Sequence, residues 1–89
     1  MTKCSLEIVN IKGLHARASA KLVEVVEGFD ASAEVSKDGV SASGDSIMGL
    51  LMLAASQGSF IEVETRGPDA EALAEALKAL VANKFGEDA

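Results

Sequence analysis

Hydrophobic and polar residues alternate along four short parts of the chain, and this alternation predicts four β-strands. Residues 4–8 place Cys4, Leu6 and Ile8 on one side, and the same pattern recurs at residues 31–36, 40–43 and 60–66. The dipeptide Asp38-Gly39 separates the second and third parts, and it favours a two-residue hairpin because both positions require positive φ. The Ser-rich residues 40–43 then predict a return strand at an edge of the sheet.

Three other parts repeat their hydrophobic residues at helical spacing. The first covers residues 16–27, with Gly28 as a predicted left-handed C-cap and a predicted buried side of Ala16, Ala20, Val23 and Val26. The second covers residues 47–55, with Ser46 as its N-cap. The third follows Gly67-Pro68-Asp69 and carries Lys84 in its last turn, and its predicted core residues are Leu73, Leu77, Leu80 and Val81.

The element order is therefore β-α-β-β-α-β-α. Four strands with one hydrophobic face need to be covered, and three amphipathic helices can cover that face. We predict an α+β fold: an open-faced βαββαβα sandwich whose four-stranded antiparallel sheet is covered on one face by three helices. A chain of 89 residues accommodates one such domain, and we assign residues 1–89 to it.

Charge and composition exclude several classes of function. With 14 acidic against 8 basic residues and a net charge of −6, the chain lacks the clustered cations that nucleic-acid binding requires. One histidine and one cysteine provide neither a structural zinc site nor an internal disulfide, so we expect no metal and no cofactor. Residues 1–10 lack a signal-peptide core, and no hydrophobic run approaches the ~20 residues of a membrane span. We expect a cytoplasmic protein, with a solvated, frayed C-terminal tail at residues 86–89.

The histidine is the strongest candidate for chemistry. His15 lies where the first strand region gives way to the first helix, close to backbone N–H groups that can bind an anion. Arg17 offers a guanidinium suited to phosphate oxygens, and together they suggest a phosphoryl acceptor. His15 could otherwise be a surface loop or capping residue. A general base is the other chemical role, but no nearby nucleophile is evident.

Two motifs give the chain a strong resemblance to a known family. The stretch Gly13-Leu14-His15-Ala16-Arg17 and the later stretch Asp45-Ser46-Ile47-Met48-Gly49-Leu50 resemble the HPr family, the histidine-containing phosphocarriers of the bacterial phosphoenolpyruvate-dependent phosphotransferase system. The resemblance extends over essentially the whole chain. It implies a phosphoryl carrier, not an enzyme, that accepts a phosphoryl group from phospho-enzyme I on His15 and passes it to an enzyme IIA protein.

The resemblance also implies roles for other residues. Arg17 would pair with the phosphate, with help from the backbone of Ala16, Arg17 and Ala18. The family usually has proline where this chain has Ala18, and the additional N–H of Ala18 could help to hold the phosphate. Ser46 matches the serine modified by HPr kinase/phosphorylase in many relatives. The implied docking patch for partners consists of Ala20, Ile47, Met48 and Leu51, and we expect one of Met48 and Met52 to pack inward.

Charge suggests a particular branch of the family. Glu24, Glu27 and Asp45 occupy positions where sugar-transport members often carry lysine, and several stretches resemble the nitrogen-related branch, NPr. The resemblance therefore favours a regulatory phosphorelay, carried out by a monomer.

Two alternatives remain open from the sequence. Asp45-Ser46-Ile47 superficially matches the motif of acyl carrier proteins, whose serine bears phosphopantetheine, although those proteins are all helical. A regulatory domain with the HPr fold that binds partners without phosphate is the other.

Overall fold

A computed structural model describes residues 1–89 and contains the predicted seven main elements in the predicted order. They are β1 (Thr2–Glu7), α1 (Ala16–Glu27), β2 (Ser32–Lys37), β3 (Val40–Ser43), α2 (Ile47–Met52), β4 (Phe60–Arg66) and α3 (Ala70–Ala82), and a 3₁₀ turn at Lys84–Gly86 follows. None of the helices has the length and hydrophobicity needed to cross a membrane.

The four strands form one antiparallel sheet in the order β1-β4-β2-β3. Its register aligns hydrophobic side chains across the sheet, and one such row consists of Cys4, Val63, Val35 and Ala42. The neighbouring positions form a polar row of Lys3, Glu64, Glu34 and Ser43 on the opposite face. One face is therefore hydrophobic and the other polar, as the alternating sequence predicts.

The hairpin between β2 and β3 has the predicted conformation. Asp38 and Gly39 have φ values of 50° and 83°, so both central residues adopt positive φ. The strand β3 lies at an edge of the sheet, also as predicted.

The helices cover the hydrophobic face, which confirms the open-faced sandwich. α3 packs against β1, β4 and α1, and α1 in turn packs against α2. Leu73, Leu77 and Val81 are buried as predicted, whereas Leu80 is only partly buried at the edge of the core.

Two details of α1 differ from the prediction. Ala16 is exposed and Ala20 half-buried, because the helix is rotated so that its buried side consists of Ala18, Ser19, Leu22, Val23 and Val26. Alanine spacing alone could not fix this rotation, because alanine is compatible with either side of a helix. Gly28 ends the helix with a φ of −80°, so the predicted left-handed cap is wrong.

The predicted ends of α2 and α3 are also corrected. α2 ends at Met52 rather than at residue 55, because Ala54 takes a left-handed φ of 52° and turns the chain. α3 ends at Ala82, and Lys84 lies beyond it in the 3₁₀ turn.

The C-terminal segment, residues 84–89, contacts the body of the protein through Phe85 and Glu87, so the predicted solvated tail is wrong at Glu87, whereas Asp88 and Ala89 are exposed. Lys84 and Phe85 have φ values of 56° and 55°, and the side chain of Phe85 is fully buried. A left-handed conformation is strained for such residues and persists where surrounding contacts require it. Burial of Phe85 provides one such contact, and Glu87 provides another.

Candidate functional site

The loop before α1 is fixed by a close backbone contact. Gly13 has a φ of 67°, and a Cβ atom at this position would lie 2.4 Å from the carbonyl oxygen of Ala55 and 2.9 Å from the Cα atom of Ser56. The N–H of Leu14 donates to the same Ala55 oxygen at 2.8 Å. Glycine is required here by both conformation and space, and this contact ties the histidine loop to the chain that follows α2.

His15 is the N-cap residue of α1. Its backbone is extended (φ −81°, ψ −175°), and its Nδ1 atom accepts a hydrogen bond from the N–H of Arg17 at 3.3 Å. The first N–H of the helix to find a backbone acceptor is that of Ser19, which donates to the carbonyl oxygen of His15 at 2.8 Å. The N–H groups of Ala16 and Ala18 have no intramolecular hydrogen-bond partner, and that of Ala16, an exposed residue, is available to an anion.

The other ring nitrogen of His15 contacts the C-terminal segment. Nε2 pairs with Oε2 of Glu87, while Oε1 of Glu87 accepts a hydrogen bond from Nδ2 of the buried Asn10 at 2.9 Å. The hydrogen bond from Asn10, and then that from His15, lower the pKa of Glu87 below its ordinary value of 4.5. Glu87 is therefore a carboxylate at neutral pH, with both oxygens engaged.

These contacts define the protonation of the neutral ring. Because Nδ1 accepts from the Arg17 N–H, it carries a lone pair, and Nε2 then carries the proton that it donates to Glu87. The side chain of His15 is 28% exposed and that of Glu87 is 13% exposed. The lone pair of Nδ1 thus faces the start of α1, and the N–H of Nε2 faces the C-terminal segment.

Three cations line a cavity beside Glu87, the residue that pairs with His15. Arg17, Lys12 and Lys21 line a cavity of about 470 Å³ together with Phe85 and Gly86, and none of these cations forms an ion pair. The same cavity is lined by the acidic residues Glu87 and Asp88, so it brings cations and carboxylates together beside the C-terminal segment. The guanidinium of Arg17, expected to pair with phosphate, has no carboxylate partner that would compete for it.

The second motif lies on α2, which packs against α1. Ser46 is the N-cap, as predicted, and its Oγ accepts a hydrogen bond from the N–H of Gly49 at 3.0 Å. Met48 and Met52 are 71% and 76% exposed, so the prediction that one of them packs inward is wrong. Of the other expected docking residues, Ile47 is 39% exposed, and Ala20 and Leu51 are half-buried.

Several residues of this site were not found from the sequence. Glu87 is 72 residues from His15 in the sequence. Asn10 is close to the histidine motif but belongs to no pattern that indicates a role. Nothing in the alternation or the motifs indicates that the acidic end of the chain reaches the helix start. Lys12 and Lys21 flank the motif in the sequence, and this concentration of positive charge is a signal for the cavity that they line.

The chain matches a family model and is similar to known phosphocarrier proteins. A family model described as the PTS HPr component phosphorylation site, PTS being the phosphotransferase system, matches residues 2–83. The chain is 49% identical over 80 residues to the phosphocarrier protein HPr of Cupriavidus necator, with 90% of each chain covered. It is 42% identical over 87 residues to the phosphocarrier protein NPr of Escherichia coli K12, with 97% of each covered.

The solved structures lead to the same family. The structure resembles the crystal structure of HPr-C-His from Thermoanaerobacter tengcongensis with a TM-score of 0.94 and 37% identity, covering all of both chains. Members of this family carry phosphoryl groups and interact with the enzymes of the phosphotransferase system, and are not themselves catalysts. The match along residues 2–83, the identities and the shared fold together show that this chain belongs to the HPr family of phosphocarrier proteins.

Proposed function

We propose that His15 accepts a phosphoryl group on Nδ1 from phospho-enzyme I and transfers it to an enzyme IIA protein. The observation that carries this proposal is the orientation of the ring, whose unprotonated nitrogen faces the free N–H groups of α1. The lone pair of Nδ1 attacks phosphorus, while the bond from phosphorus to the donor breaks and its electron pair remains on the donor. The proton on Nε2 stays on the histidine throughout.

The surroundings of Nδ1 suit the charge that this transfer delivers. A phosphoryl group brings about −1.5 to −2 charges at neutral pH. The N–H groups of Ala16, Arg17 and Ala18 and the dipole of α1 favour that charge, as do the unpaired guanidinium of Arg17 and the ammonium group of Lys12. Phosphoryl transfer requires mainly positioning and charge stabilisation, both of which a domain of this size can supply.

Incubation with enzyme I and phosphoenolpyruvate tests the assignment. The wild-type chain should gain one acid-labile phosphate, and the His15→Ala variant should gain none. Because the chain has one histidine, a phosphohistidine can lie only at this position. Uptake of phosphate by His15→Ala would overturn the site. Absence of uptake by a folded wild-type chain would instead favour the regulatory domain that binds partners without phosphate.

Arg17 is tested separately, because its proposed role depends on charge and on the forked shape of the guanidinium. Arg17→Lys keeps the charge and Arg17→Ala removes it. Transfer should slow in both variants and more in the second. Lys37→Ala, which removes a cation from the far end of β2, is the matched control and should transfer at the wild-type rate.

The exposed hydrophobic surface of α2 is the proposed docking site for partners. It comprises Ile47, Met48 and Leu51, with Ala20 contributed by α1. Met48→Lys should raise the KM for phosphoryl transfer from enzyme I. Phe60→Lys changes a residue of similar exposure (59%) at the start of β4 and should have no effect, so equal effects of the two variants would contradict the assignment.

The acidic residues near this surface support a nitrogen-related branch. Glu24, Glu27 and Asp45 are exposed, and they would repel a partner whose docking surface is acidic. We expect faster transfer to a nitrogen-related enzyme IIA than to one for sugar uptake. Glu24→Lys with Glu27→Lys should reduce this preference.

The chain is proposed to act as a monomer in the cytoplasm, with residues 1–89 as one domain.

Ser46 is the proposed target of HPr kinase/phosphorylase. A phosphate here would lie at the start of α2, beside Met48, so it would add charge to the docking surface without opposing the helix dipole. Ser46→Asp should keep the fold and accept phosphate from enzyme I more slowly, whereas Ser41→Asp on β3 should accept phosphate at the wild-type rate.

The acyl carrier alternative conflicts with the four-stranded sheet, and the mass of the purified protein would reveal a phosphopantetheine arm.

A further inference from the structure

A neutral histidine must be held in the correct tautomer to act as a nucleophile. Either ring nitrogen can carry the proton, and only the unprotonated nitrogen has a lone pair available for attack. In this protein the N–H of Arg17 approaches Nδ1 at 3.3 Å, a long hydrogen bond that alone constrains the ring weakly. A second group must therefore stabilise the proton on Nε2.

Glu87 is fixed in the position needed for this task. One of its carboxylate oxygens contacts Nε2 of His15, and the other accepts from Nδ2 of Asn10 at 2.9 Å. An ionised carboxylate only accepts hydrogen bonds, so its neighbour on the ring must be an N–H. The cavity beside Glu87 is also lined by Lys12, Arg17, Lys21 and Asp88, and the carboxylate that contacts Nε2 of His15 is that of Glu87.

Asn10 connects this carboxylate to the histidine loop. Its side chain is fully buried, and Nδ2 donates both to Glu87 and to the carbonyl oxygen of Gly13 at 2.9 Å. The Oδ1 atom of Asn10 is buried and has no hydrogen-bond partner. The side-chain amide therefore acts here only through its donor atom, Nδ2. The burial of Phe85, two residues before Glu87, holds the C-terminal segment against this loop.

We propose that Asn10 and Glu87 are positioning residues that hold His15 with its proton on Nε2 and so present the lone pair of Nδ1 for phosphoryl transfer. As Nδ1 attacks phosphorus, positive charge develops on the ring and spreads to the Nε2–H group, where the carboxylate stabilises it. When the phosphoryl group leaves, the same proton is still present, so the ring departs as a neutral imidazole. The effect on phosphoryl transfer rests on the proposed function. The tautomer of His15 in the free chain does not depend on that function.

The tautomer can be measured without any partner protein. Long-range ¹H–¹⁵N spectra of uniformly labelled protein, recorded where the ring is neutral, give the protonation of each ring nitrogen of the one histidine. The wild-type chain should show the proton almost entirely on Nε2. Glu87→Ala should give a mixture of tautomers, and Asn10→Ala should shift the ratio in the same direction.

Two further variants separate positioning from a general structural effect. Asp88→Ala removes the neighbouring exposed carboxylate, which forms no hydrogen bond or ion pair, and should leave the tautomer unchanged. Glu87→Gln keeps a carbonyl oxygen that can accept from Nε2 but places an amide nitrogen near Asn10, so its tautomer ratio should be intermediate. Glu87 is on a terminal segment, so its variants should fold even where Asn10→Ala does not.

Transfer from enzyme I supplies the second readout. Glu87→Ala should slow phosphoryl transfer at least about tenfold, because a fraction of the rings present a protonated Nδ1 and the developing charge loses its carboxylate. A wild-type tautomer ratio in Glu87→Ala overturns the proposal, and so does a shifted ratio with an unchanged transfer rate. If the wild-type chain takes up no phosphate, the proposed function fails while the spectra still decide the positioning role.

Discussion

Replacing Gly13 by alanine should destabilise the protein through two separable effects. The residue has a φ of 67°, and an added Cβ atom would lie 2.4 Å from the carbonyl oxygen of Ala55. The left-handed conformation costs a residue with a side chain about 1–2 kcal/mol. The contact is with backbone rather than with the end of a flexible side chain, so the loop or the residues after α2 must move, which costs about 1–3 kcal/mol more.

Gly39 provides the matched control. Its φ of 83° imposes similar conformational strain, but an added Cβ atom would meet nothing within 4 Å. Gly39→Ala should therefore cost about 1–2 kcal/mol and Gly13→Ala about 2–5 kcal/mol. The entropy that alanine removes from the unfolded chain is common to both variants and cancels in the comparison.

Thermal unfolding followed by far-UV circular dichroism measures the difference, since the chain has no Trp or Tyr for fluorescence. At about 4–8 °C per kcal/mol for a domain of this size, the melting temperatures of the two variants should differ by several degrees. Equal melting temperatures would refute the argument, because they would mean that the contact between the histidine loop and Ala55 adds nothing beyond backbone strain.

Three further changes have expected outcomes. Ser46→Ala should lower the free energy of unfolding by about 1 kcal/mol through loss of the helix cap, and Ser46→Asp should recover most of it; denaturant titration measures both. Ala18→Pro removes an N–H that has no intramolecular partner, so the fold should persist while phosphoryl transfer slows on the order of tenfold. An unchanged phosphohistidine lifetime and an unchanged transfer rate would contradict a role for that donor. The folded pKa of Glu87 lies below the ordinary 4.5, so its contact stabilises the protein fully above that pH and is lost as the pH falls through the folded pKa. The stability difference between wild type and Glu87→Gln should accordingly vanish in acid, and a difference that persists there would argue against an ionised contact.

Most of the fold could be predicted because each strand has a single buried face. Alternation then places the hydrophobic residues of neighbouring strands in register, as in the row through Val35 and Val63. The rotation of α1 was less certain because alanine occurs on both of its sides, and the end of α2 depends on Ala54, whose left-handed φ no local pattern indicates.

The candidate site, like the fold, could be predicted from the sequence only in part. His15 and Arg17 are two residues apart at a helix start, so their proximity follows from local sequence and resemblance. Glu87 reaches the ring through the packing of Phe85 and a sequence of left-handed residues, and both are properties of the folded chain. Acidic residues at a chain end more commonly remain solvated, so the usual expectation was wrong here.

The two ring nitrogens of His15 contact separate parts of the chain. The surroundings of Nδ1 come from residues 15–18, inside the part of the chain that the family model matches, whereas Nε2 meets Glu87, which lies beyond residue 83 where that match ends. In the proposed mechanism, substitution or a change of length at the C-terminus would alter how readily the ring gives up a phosphoryl group while residues 15–18 stay unchanged. The proposed role of Glu87 would therefore place control of phosphoryl transfer at a chain terminus, a region that usually tolerates change more readily than an active-site loop.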